Sequence, residues 1–98
     1  VGFIMNVSPN CDCWVVNDAA IVPDIGIAAS LDPVALDQAC VDLVNSALAQ
    51  QNSVLGDKHY ERGDKFAHVH EDTNWASQLV HGEEIGLGTR QYQLVTLK

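Results

Sequence analysis

Residues 25–48 read IGIAASLDPVALDQACVDLVNSAL, and this stretch decides the fold class. Ile25 to Ala29 is a short apolar segment that suits a strand, and its small residues allow close packing against a neighbouring backbone or helix. Ser30-Leu31-Asp32-Pro33 then marks a helix start. Asp32 can cap the N-terminus, and Pro33 takes the first helical position, where its missing amide costs nothing. Leu36, Ala39, Cys40, Leu43, Val44 and Ala47 follow at helical spacing, with Asp37, Gln38, Asp42 and Asn45 on the opposite face. The spacing predicts a helix from Pro33 to about Leu48.

Upstream, Val1 to Val7 reads as a buried strand, ended by Ser8-Pro9-Asn10 because Pro lacks the ladder amide. Residues 11–24 have no clean period and read as a long ordered connection, with a short extended piece at Ile21-Val22. Downstream, Gln50 to Lys65 is polar, broken by Gly56 and Gly63 and mixed in charge (Asp57, Lys58, Glu61, Arg62, Asp64), as a surface loop should be. Phe66 to His70 reads as a short extended anchor. Glu71, Asp72 and Thr73 offer acids and a cap for a second helix, running through Trp75, Leu79 and Val80 to about Ile85. Gly82 inside it costs roughly 1 kcal/mol relative to Ala. Gly86-Leu87-Gly88 is a stop, and alternation from Tyr92 to Leu97 predicts a final strand. The expected class is α/β, with a small sheet of about three strands and two packed helices, one domain over residues 1–98 and part of a larger α/β fold.

Composition narrows the function. The chain has 98 residues, 47% of them hydrophobic and 18% charged, which favours a folded domain over disorder. Thirteen acids against five bases give a net charge of −8, so a phosphate backbone or an anionic lipid surface is repelled. Neither nucleic acid nor a membrane is an expected partner, and the apolar runs fall well short of the ~20 residues a spanning helix needs. The sequence opens on an apolar run without Met, as a piece of a longer protein would. The remainder of that protein, or another subunit, is then an expected partner. Three cysteines are too few for a disulfide scaffold and fit thiols in a reducing cytoplasm.

The chemistry concentrates between Cys11 and Pro33. If Cys11-Asp12-Cys13 is extended, both sulfurs share one side and Asp12 takes the other. Two thiolates held that way can share a metal ion or supply half the ligands of a cluster. They could instead cycle with a disulfide, or simply be buried as small apolar residues. Cys40 lies on the apolar face of the first helix and reads as core, so a four-cysteine site cannot be assembled within this chain. Asp18 and Asp24 are the nearest oxygen donors to complete a mononuclear site. His68 and His70, one residue apart and sharing a face if extended, are the distant ones. His59 and His81 are given no role, Trp14 could shield the thiols, and Trp75 reads as a helix-packing residue. No phosphate-loop, dinucleotide, nucleophile-elbow or metalloprotease pattern is present.

From CDCW through DAAIVPDIGIAASLDPVALDQACVDLVN, the chain resembles the uncharacterised iron–sulfur-centre proteins, a bacterial and archaeal family built on a domain of unknown function. The similarity runs over residues 1 to about 46. It resumes at Trp75, Leu79, Ile85-Gly86-Leu87-Gly88 and Tyr92-Gln93-Leu94, and it resembles the C-terminal portion of such proteins. Members are typically several times longer, and many carry ferredoxin-like cysteine clusters elsewhere. The resemblance implies an iron–sulfur cluster in the full-length protein, a cytoplasmic location, and electron transfer with a redox partner protein. It carries over Cys11, Cys13, Asp18 and Asp24 as motif positions. The ferredoxin-type C-x2-C-x2-C pattern is absent here, and Ala19-Ala20 stands where relatives are expected to have Ala-Pro. Two other functions remain open from the residues: a catalytic α/β domain binding a small molecule through its acidic loop, and a structural or oligomerisation piece.

Overall fold

Two short strands meet at the front of the chain. In the computed structural model, which describes residues 1–11, 13–56 and 63–97, β1 (Gly2–Ile4) pairs antiparallel with β2 (Gly26–Ala28). Phe3 lies opposite Ile27 and Ile4 opposite Gly26, and the Ile25 amide extends the pairing by donating to Ile4 O at 2.8 Å. Pleating sends Ile4 into the core and leaves Phe3 and Ile27 exposed on the other face.

Helix α1 (Pro33–Ser46) covers the inner face of this sheet. Asp32 caps it as its sequence position requires, its Oδ1 accepting the Val34 and Ala35 amides at 3.0 Å each. Ile4, Ile21, Val22, Val44 and Leu55 form the buried centre, with Cys40, Leu43, Phe66 and Val69 packed around it. The Gln50 amide donates to Ile21 O at 2.7 Å and ties the segment after α1 to the connection before β2.

Residues 66–70, expected to be extended, belong instead to a short helix, α2 (Lys65–Val69). Asp64 nucleates it by accepting the Phe66 amide at 3.1 Å. Lys65 is wholly buried at its start. Its Nζ donates to Asn45 O at 2.7 Å and its amide to Asn45 Oδ1 at 2.9 Å, which satisfies a carbonyl in the last turn of α1. Burial lowers the Lys65 ammonium pKa. The expected polar loop before α2 is described as far as Gly56, and its residues 57–62, including Asp57, Lys58, His59, Glu61 and Arg62, lie outside the described residues. Leu55, within that loop, is buried at the core.

The next helix, α3 (Ala76–Glu84), begins later than the acids suggest, with Trp75 at its N-cap position and no side-chain cap bond. Gly86, at φ 78°, ends it: the Leu87 amide donates to Gly82 O at 2.9 Å and the Gly86 amide to Glu83 O at 3.1 Å.

The third strand does not form. Residues 91–97 adopt no regular structure, and the tail is bonded sideways to the helices instead. Thr89 N donates to Asp32 Oδ2 at 2.9 Å, Arg90 Nε to Gln38 Oε1 at 2.8 Å and Tyr92 OH to Asp42 Oδ2 at 2.5 Å. The observed class is mixed α and β, with two strands and three helices among the described residues. Among the described residues, no helix is long and apolar enough to cross a membrane.

Candidate functional site

The connection between β1 and β2 is built as a closed loop. The Ile21 amide donates to Val7 O at 2.8 Å and pinches residues 8–20 off at the base, as in an Ω-loop. Asn17 holds the interior, its Nδ2 donating to Asn10 O at 2.8 Å and Ser8 Oγ at 3.1 Å while its Oδ1 accepts the Asn10 amide at 3.2 Å. Sequence reasoning missed Asn17. Its only signal was a turn-forming residue type inside an aperiodic stretch.

This frame carries the two thiols. The Trp14 amide donates to Cys11 O at 2.9 Å, and Cys13 lies in a turn rather than in the extended form first expected. The sulfurs still converge: Cys13 Sγ donates to Cys11 Sγ at 2.9 Å, and the Cys13 amide approaches the same sulfur at 3.5 Å. That bond, with the charge of the neighbouring Cys11 sulfur, raises the Cys13 thiol pKa. Both residues are exposed. Trp14, the expected shield, is itself exposed along with Val15 and Val16, and the expectation for Asp12 falls outside the described residues.

The remaining candidate donors do not gather around the pair. Asp18 Oδ1 accepts the Ala19 amide at 2.7 Å. Asp24 Oδ1 accepts the Asn6 amide at 2.8 Å, where Asn6 sits at φ 49°, a bond that ties the chain after β1 to the chain before β2. His68 lies within α2 and His70 is the C-cap residue after it, so they do not share a face as they would in a strand. His70 reaches toward the loop. Its Nε2 lies 2.6 Å from Pro9 O, and because a carbonyl only accepts, Nε2 is the donor of that bond. Cys40 packs against the core as its helical position predicts, and burial raises its thiol pKa. Among the described residues, no group of three or more His, Cys, Asp or Glu is placed to hold a metal ion.

Residues 1–42 match the family described as Domain of unknown function (DUF362). Over that stretch the chain is similar to this family. The DUF362 match takes in both strands, the loop, the thiol pair and the first turns of α1. It leaves α2, α3 and the tail outside. No curated protein and no solved structure compared with the chain matches it.

Proposed function

We propose that the chain is a metal- or iron–sulfur-associated domain of a cytoplasmic redox or electron-transfer protein. In this reading it corresponds to the C-terminal portion of a longer member of the DUF362 family. Cys11 and Cys13 supply two ligands, and the rest come from another part of the protein or another subunit. The observation that carries this reading is the exposed thiol pair, with sulfurs 2.9 Å apart on a loop pinned by Asn17 and closed at its base.

The donor set fits half of such a site. Two thiolates on one tetrahedral metal, each at about 2.3 Å, stand about 3.8 Å apart. Side-chain rotation by about 1 Å at the sulfurs therefore converts the observed pair into a chelate. Bound there, a metal ion or cluster would supply the redox chemistry, and this chain's residues would hold the thiolates in a fixed, solvent-facing position. In this reading Asp18 serves the loop backbone and Asp24 the Asn6 amide, and His70, bonded to Pro9 O, is the candidate nitrogen donor.

Metal and acid-labile sulfide are to be quantified in protein purified without oxygen. The Cys11→Ser/Cys13→Ser variant is expected to lose most of the bound metal, whereas Cys40→Ser keeps it. Equal metal content in the double variant and the parent would overturn the reading.

A second observation favours a structural role beside this one. Phe3 and Ile27, opposite each other on the sheet, are 68% and 64% exposed, with Val1 and Met5 alongside. Such a face supports docking against the remainder of the protein or another subunit, the same body that would complete the ligand set.

A further inference from the structure

A second feature of the molecule uses none of the thiols. Between the base of the loop and α2 lies a cavity of about 220 Å³, walled by Val7, Pro9 and Ile21 on one side and Phe66, Val69 and Trp75 on the other. The exposed residues His70, Thr73 and Asn74 also line it, so the space communicates with solvent.

Most of its polar side chains are already engaged. Ser8 Oγ donates to Asn10 O at 3.1 Å and accepts from Asn17 Nδ2 at 3.1 Å. Thr73 Oγ1 donates to His70 O at 2.7 Å, His70 Nε2 to Pro9 O at 2.6 Å and Trp75 Nε1 to Asp64 Oδ2 at 2.6 Å. An occupant therefore meets apolar surface and finds few groups left to bond, which selects against polar molecules. The walls are preorganised as well. Trp75 is fixed by its bond to Asp64 and by Phe66, whose ring lies 6.4 Å away at a 56° tilt. Two aromatic walls favour a flat ligand. For scale, an apolar cavity of about 150 Å³ admits benzene.

We infer that this cavity is a binding site for a small, planar, largely apolar molecule of one or two rings. The site is separate from the thiol pair, since neither Cys11 nor Cys13 lines it, although both share the loop whose base forms one wall. Ligand binding would buttress that base through Val7, Pro9 and Ile21.

Indole is a suitable probe, titrated into isotopically labelled chain and followed by heteronuclear NMR. Saturable shifts are expected at the Val7, Ile21 and Val69 methyls and at the Trp75 indole N–H. Uracil, flat but polar, is expected to bind at least about tenfold more weakly. Val69→Trp fills the space and should weaken indole binding by about tenfold or more, with Val7→Phe as an independent filler should the first variant not fold. Cys11→Ser/Cys13→Ser should leave the affinity within about twofold, so this result stands or falls apart from metal binding. Absence of saturation, shifts centred on Phe3 and Ile27, uracil binding as tight as indole, or a folded filler variant that binds like the parent would each overturn the inference.

Discussion

Asp32 and Tyr92 show what a single residue can and cannot announce. The cap at Asp32 is legible because its partners, Val34 and Ala35, lie two and three positions along the chain. The same carboxylate also accepts the Thr89 amide, 57 positions away, and no local pattern encodes that contact. The amides of Ala35, Thr89 and Val34 together lower the Asp32 pKa. Tyr92 is the harder case. It looked like an alternating strand residue, yet its hydroxyl donates to Asp42 Oδ2, 50 positions back. That bond, assisted by desolvation and the carboxylate charge, pushes the phenol up to about 12 from an ordinary 10.0. The folded chain then keeps a proton that the unfolded chain gives up above pH 10, so this contribution to stability is complete below that pH. It is lost as pH rises toward 12. Denaturant titrations across that alkaline window should show the parent losing stability more steeply than Tyr92→Phe. Parallel slopes would show that the tail bond is not formed in solution.

At the scale of elements, the long helix was readable and the short ones were not. Fourteen residues of α1 give the apolar stripe room to repeat, whereas the five of α2 do not complete two turns. Residues 66–70 therefore resembled a strand, although Asp64 before them was the cap that decided otherwise. The expected C-terminal strand failed for a different reason: bonds from Thr89, Arg90 and Tyr92 hold the tail against helix side chains. Gly82 shows how packing reverses a propensity. On an isolated helix, Ala in its place would gain roughly 1 kcal/mol. Here a Cβ would stand 2.8 Å from Val34 Cγ2, and Val34 is a buried, β-branched residue of α1 with little freedom to turn aside. Overpacking of this kind costs about 1–3 kcal/mol, so Gly82→Ala should be net destabilising by about 1 kcal/mol. Urea denaturation decides the sign, and a more stable variant would mean that α1 and α3 are not in contact as described.

For the whole molecule, the thiol pair was legible in the sequence, because two cysteines one residue apart cannot end far from each other in space. The convergence of the two sulfurs through a turn, the Asn17 clamp and the apolar cavity were not, since each depends on how the loop closes. The bare sheet face has the same origin. Strands of three residues are marginal on their own, and α1 stabilises only the side that carries Ile4. Phe3, at 68% exposure, and Ile27, at 64%, therefore face water with no contribution to the core, while the net charge of −8 opposes indiscriminate self-association. A face of this kind should bind a hydrophobic dye and draw copies together as concentration rises, more so when salt screens the acids. Replacing the pair, Phe3→Lys with Ile27→Lys, should abolish both effects and change unfolding stability by no more than about 0.5 kcal/mol. Sedimentation velocity over a concentration series, with the same dye assay on both proteins, makes the comparison. A parent chain that stays monomeric in high salt and ignores the dye would remove the case for a docking face. It would also leave the proposed thiol half-site without the neighbour that the second reading assigns to it.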